Sequence, residues 1–164
     1  MPFYTNAANN STVYSSGEDN YKSILAADSS AVNNSTTVVA IPEFKIALGK
    51  YERIVGEIKG FFDTDASADL KVQFTGPASS VFKVAVTGVD PADAETSGVV
   101  VATNGDPAAI AVASAGSDDG FLQVNFVVET AGTAGDVDFK FAQNAAHASN
   151  TIFYEGTSLK YSRF

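Results

Sequence analysis

Apolar and polar residues alternate along most of this chain with a period of two, the spacing that sends successive side chains of a strand to opposite faces. The clearest run lies late in the sequence, with Val137, Phe139 and Phe141 against Asp136, Asp138 and Lys140. The longest sets Leu122, Val124, Phe126 and Val128 against Gln123, Asn125 and Glu129. Leu70, Val72 and Phe74 repeat it against Lys71, Gln73 and Thr75, and Phe82, Val84 and Val86 repeat it again. Val38 and Ala40, then Phe44, Ile46 and Leu48, predict two strand segments with Pro42 at the bend between them, because proline lacks a ladder donor. In residues 51–62, Ile54, Ile58 and Phe62 share a face with Gly56 and Gly60. Ile54 and Ile58 would also suit a helix, but two glycines and the β-branched content favour a strand, curved or closely approached by another backbone. An all-apolar run from Val99, a strand from Ala109, and two late strands over 151–155 and 158–162 complete the pattern.

Turn chemistry separates these runs: Gly49-Lys50, residues 63–69, Gly76-Pro77, residues 88–91 followed by an acidic loop to 98, Asn104-Gly105-Asp106-Pro107, residues 116–120 and Gly156-Thr157. Short strands at intervals of about 8–12 residues with turns between them predict an all-β fold, an antiparallel β-sandwich of jelly-roll type. Residues 1–30 hold neither a period of 2 nor one of 3.6 and read as an extended N-terminal arm, with residues 31–164 as a single sandwich domain. The aromatics in that arm, Phe3, Tyr4, Tyr14 and Tyr21, have no core of their own. They are anchors for a neighbouring subunit or they fold back over the chain's own sheet. Val55, Phe61, Val127 and Phe153 fall at outward positions although apolar, which leaves them as second-sheet core or as interface.

Composition narrows the chemistry. A chain of 164 residues suits one domain with a real core, and with twelve Phe and no Trp the bulk of that core is phenylalanine. The absence of cysteine excludes disulfides, thiolate chemistry and Cys-based zinc sites. A net charge of -9 disfavours phosphate backbones and anionic lipid, and no basic patch overrides it. The opening residues read as no secretion signal, and no apolar run reaches the roughly 18 residues of a membrane span, so production in a cytoplasm is expected.

Few residues are candidates for a site. His147, the only histidine, sits in a small-residue loop with no nucleophile-positioning motif, and reads as an exposed loop residue rather than a catalytic one. Asp63, Asp65, Ser67 and Asp69 have the oxygen-ligand spacing that opens a calcium loop, but Ala68 and Phe74 stand where an EF-hand needs Gly and Glu. Asp63, Asp65 and Asp69 therefore remain a weak calcium candidate beside the plainer reading of a polar turn. Neither a carboxylate pair nor a phosphate loop is marked out, so the expectation is a protein that is no enzyme and carries no cofactor.

The late run GDVDFKFAQN, the small-residue loop after it and the closing GTSLKYSRF resemble the end of a small all-β domain found in head decoration (cement) proteins of tailed bacteriophages. Val32 to Val38, Phe44 to Leu48, Tyr51-Glu52-Arg53 and Ala68 to Pro77 follow the order of that domain's opening strands, so the resemblance spans residue 31 onward. It implies a virion structural protein on the outer surface of the head, a homotrimer whose partner is the major capsid protein, with no nucleic-acid or membrane partner. Under it, Phe3, Tyr4, Tyr14 and Tyr21 become candidates for capsid or subunit contact. A receptor- or glycan-binding module of a head or tail fibre is the alternative on the same fold, and a secreted carbohydrate-active enzyme a third.

Overall fold

The computed structural model describes residues 3–6, 11–15, 20–89, 95–102, 106, 108–112 and 119–164, with side chains described for 21–89, 97–102, 106, 108–112 and 119–164. Among these the chain forms β1 (Phe3–Asn6), β2 (Ser11–Ser15), β3 (Asn20–Ile24), β4 (Val32–Asn33) and β5 (Val39–Ala40). A 3-10 turn at Pro42–Phe44 precedes β6 (Ile46–Leu48), β7 (Arg53–Asp63), β8 (Leu70–Thr75), β9 (Val81–Val89) and β10 (Glu95–Ala102). Then come β11 (Ile110–Val112), β12 (Gly120–Glu129), β13 (Gly135–Gln143), β14 (Asn150–Phe153) and β15 (Ser158–Arg163). Pro42 starts the 3-10 turn, where its fixed φ is an asset and its missing N–H costs nothing.

Two antiparallel sheets result. The larger runs β1-β2-β3-β15-β7-β12-β9-β10, with β14 against the end of β7 and β4 beside β14. The smaller runs β11-β8-β13-β5, with β6 further along β13. From β7 onward the chain crosses between sheets at almost every connection: β7 in the larger, β8 in the smaller, β9 and β10 in the larger, β11 in the smaller, β12 in the larger, β13 in the smaller. This wrapping is the jelly-roll sandwich expected from the alternation.

The alternating positions meet in the middle. Leu70, Val72 and Phe74 of β8 and Val137, Phe139 and Phe141 of β13 face Ile54, Ile58, Phe62, Phe82, Leu122 and Phe126 of the larger sheet, all buried. Phenylalanine does bind the layers: Phe74 lies 5.0 Å from Phe126 and 5.4 Å from Phe139, and Phe153 lies 5.1 Å from Phe141 and 6.2 Å from Phe62, ring centre to ring centre. Strands β7 and β12 pair without interruption from Gly120 opposite Phe62 to Glu129 opposite Arg53, so the glycines of β7 do not mark a bulge. They mark close approach: a Cβ on Gly56 would lie 2.5 Å from both the Lys160 carbonyl oxygen and the Phe126 ring.

Two strand boundaries shift. β9 runs through Gly88 and ends at Val89, the glycine leaving the space that the Val112 side chain fills. Strand β10 begins at Glu95, so residues 95–98 are strand and not part of an acidic loop. Phe153, open in the sequence between second-sheet core and interface, is core, since β14 is clipped to Phe62 at the end of β7 and turns its ring between Phe139 and Phe141.

In the N-terminal part of the chain the described residues 3–6, 11–15 and 20–24 are strands. β1 pairs with β2, β2 with β3, and β3 with β15 over five residue pairs. Leu25, just after β3, is buried in the core and its N–H donates to the Thr157 carbonyl at 2.9 Å. Residues 20–25 are thereby part of the sandwich, and a deletion meant to leave it intact has to stop short of them.

Candidate functional site

The outer face of the larger sheet carries the most exposed apolar surface among the described residues. Across β7, β12 and β9 the cross-strand rows read Phe61, Phe121, Val89; then Lys59, Gln123, Thr87; then Glu57, Asn125, Ala85; then Val55, Val127, Lys83. β10 extends the last two rows with Val99 and Val101. Phe61 is 56% exposed, Val99 75% and Val101 59%, with Val55 at 41%. The Phe61 and Phe121 rings meet edge to face at 5.3 Å, a pairing the ring quadrupoles favour. Of the outward apolar residues singled out in the sequence, Val55 and Phe61 are solvent-facing here and Val127 half-buried; Phe121, Val99 and Val101 were not singled out.

Charge pairs punctuate this face. Lys59 Nζ lies 2.7 Å from one Glu57 carboxylate oxygen and Lys160 Nζ 3.6 Å from the other, while Arg53 Nε lies 3.1 Å from Glu129. The Lys59 hydrogen bond holds the Glu57 carboxyl below the ordinary carboxylate range. The folded state therefore binds that proton less readily than the unfolded chain, so the pair's contribution is full at neutral pH and lost as pH falls through the lowered value. Thermal melts of Glu57→Gln and the parent between about pH 7 and about pH 2 are expected to differ most at neutrality and converge in acid; a gap that widens in acid contradicts this.

At one end of the sandwich the 63–69 turn meets the 143–150 loop. Asp65 accepts the Ser67 N–H through Oδ1 at 2.8 Å, the bond that chiefly lowers its pKa. Asp63 ends β7 and Asp69 takes a positive φ of 52° just before β8. The three carboxylates do not converge: no group of three or more His, Cys, Asp or Glu able to hold a metal occurs among the described residues. His147 is half-buried rather than exposed, with Nδ1 accepting the Ser149 N–H at 3.2 Å and standing 3.7 Å from Asp65. The Ser149 hydroxyl donates to Asp65 at 3.4 Å and not to the imidazole. Serine, histidine and aspartate thus meet with connections that hold a loop and do not activate a hydroxyl.

What organises that loop is Gln143, which the sequence reading passed over. Its side chain is fully buried; Oε1 accepts the N–H of Ser35 at 3.1 Å and of His147 at 3.0 Å, and Nε2 donates to the Ser149 carbonyl at 2.7 Å. A glutamine ending an alternating strand carries no pattern that separates a buried amide from a surface one.

The arm aromatics are placed unequally. Phe3 lies opposite Tyr14 and Tyr4 opposite Val13 in the β1–β2 ladder, and their side chains fall outside the described residues. Tyr21 stacks on Tyr161 at 4.8 Å and 12°, with the Arg163 guanidinium 5.2 Å from its ring centre. Arg163 in turn lies 3.0 Å from Glu52 and donates to the Ala47 carbonyl at 2.7 Å. Tyr21 is thus engaged within its own chain by stacking and cation–π contact.

No protein-family model and no curated protein matches the chain. Among solved structures it is similar to TmCBM61, solved with beta-1,4-galactotriose, at 13% identity and a TM-score of 0.35, covering 80% of this chain and 90% of that one. It is also similar to the CBM22-1–GH10 modules of Clostridium thermocellum xylanase 10B, at 14% identity and a TM-score of 0.28 over 85% of this chain and 24% of that one. A third is the VP2 subviral particle of infectious bursal disease virus, at 12% identity and a TM-score of 0.24 over 88% of this chain and 39% of that one. Likenesses this faint say nothing of what this chain binds.

Proposed function

We propose that this chain is a non-enzymatic structural protein of a tailed-phage virion, seated on the outside of the head, where it reinforces the shell by binding across neighbouring major capsid subunits. The observation that supports this reading is the broad outer face of the larger sheet, on which Phe61, Val55, Val99 and Val101 stand exposed. Covering such a face is favourable in proportion to the apolar area removed from water, and stable interfaces bury about 1,200–2,000 Å² in all. Phe61 and Phe121 are the aromatic anchors of that contact, the residue class that dominates interface energetics. Phe3, Tyr4 and Tyr14 extend the contact from the arm strands, and the unit that docks is a homotrimer, three times the 17.0 kDa chain mass.

A second reading, a glycan- or receptor-binding module, draws on one feature of the same face. The Phe61–Phe121 pair borders the polar row Lys59, Gln123 and Thr87, which offers donors and acceptors beside an apolar ring. The two readings separate by immunogold electron microscopy of particles of the phage that encodes the chain, using an antibody to the folded protein. Label spread over the head is the expected result, and with it Phe61→Asp is expected to weaken binding to bare heads by about tenfold or more. Label confined to a tail or fibre tip, or absent from the particles, overturns the capsid reading; with tail label, glycan-array binding that Phe61→Asp removes would establish the second.

A further inference from the structure

A cleft of about 390 Å³ lies between residues 25–31 and residues 39–43, with Phe141 also in its lining. That volume lies within the range of about 300–1,000 Å³ typical of ligand pockets. One wall is pinned to the larger sheet: the Ser29 N–H donates to the Phe153 carbonyl at 2.8 Å and Asp28 accepts the Glu155 N–H at 2.8 Å. The other wall is β5, the end strand of the smaller sheet. The Ile41 N–H donates to the Phe139 carbonyl at 3.1 Å, and antiparallel pairing alternates, so the N–H and C=O of Ala40 point away from β13 toward the cleft. An open edge of this kind is a template for one more strand.

The side chains around the cleft say what that strand carries. Leu25, Ile41 and Phe141 supply an apolar floor, and the walls are rich in alanine and serine, which leave room for a backbone to come close. The charged residues of the lining are Asp28 and Glu43, with no Lys or Arg among them. We infer that this cleft binds an extended peptide segment bearing a lysine or arginine, which adds to β5 through the Ala40 main chain, lays its aliphatic stem on the floor and brings its cation to Glu43. Main-chain bonds to a sheet edge give such recognition its affinity, and the pocket for an alternate side chain gives its specificity.

The probe is a fluorescein-labelled pentapeptide, Thr-Val-Lys-Val-Thr with blocked ends, titrated into the full chain at low salt and followed by anisotropy, with the same peptide carrying Glu for Lys as its counterpart. Saturable binding of the lysine peptide is expected, about tenfold or more weaker for the glutamate peptide and for the Glu43→Lys variant. Amide exchange at Ala40 is expected to slow when the lysine peptide is bound. Ala40→Pro, which removes the N–H, serves as a second variant where its melt shows it folded. No saturable binding, equal affinity for the two peptides, or binding that leaves the Ala40 amide unprotected each overturns the inference. None of these outcomes bears on the outer face, whose test is the labelling of particles.

Discussion

Replacing Phe74 by alanine lowers the unfolding free energy by about 3–5 kcal/mol, the usual cost of emptying a buried phenylalanine site. Phe74 is 2% exposed and belongs to the smaller sheet, yet its ring touches Phe82 and Phe126 of the larger sheet as well as Phe139 beside it. Its removal strips partners from both layers at once, and two packed sheets relax into such a void only in part. Since domains of this size are stable by about 5–15 kcal/mol, the variant loses a large share of its margin. Urea unfolding measures the change, with Phe61→Ala as the control. That side chain is exposed on the outer face, so its truncation should fall within about 1 kcal/mol of the parent. A Phe74→Ala midpoint indistinguishable from that control would mean that the two sheets are not joined through this ring.

Gln143→Leu, close in size, is expected to destabilise for a different reason. It keeps the bulk and removes three hydrogen bonds, leaving the N–H groups of Ser35 and His147 and the carbonyl of Ser149 without the amide that satisfies them. A buried polar group left without a partner costs about 1–3 kcal/mol. The loop is partly exposed, so water recovers some of these bonds and the total falls short of three full penalties. Hydrogen exchange distinguishes this mechanism from lost packing: protection should drop first at Ser35 and His147 while the amides of β8 and β12 stay protected. Uniform loss across the sheets would refute the latch and point to the core.

The sandwich was readable wherever one face of a strand is buried and the other wet, as in β8, β12 and β13, because burial on one side is what writes a period of two into a sequence. It was less readable where that condition fails. The run Val99 to Val101 is apolar throughout and so holds no facing information; only the pairing of β10 with β9 turns Val99 and Val101 outward. β14 is four residues long, too short for parity to be set without knowing that it clips to Phe62. Gly88 reads as a breaker because its use, leaving room for Val112 from the other sheet, depends on a contact across the sandwich. For the outer face, Val55 and Phe61 stood out as apolar residues at polar positions, whereas the cleft is lined by segments with no period and became visible only in three dimensions.

The pairing of β3 with β15 joins residues 20–24 to residues 158–162, the widest separation between partnered strands in the larger sheet. Closing so long a loop has to precede the contacts that reward it, which slows folding. As the chain is synthesised, the edges of β3 and β7 that β15 will occupy stay open until nearly every other strand has emerged. β15 is therefore the last of the described strands to join the larger sheet, and until it does the nascent chain presents two unpaired strand edges to its neighbours. Its yield in cells should then depend on how crowded those neighbours are, and on synthesis temperature, before any question of its final stability arises.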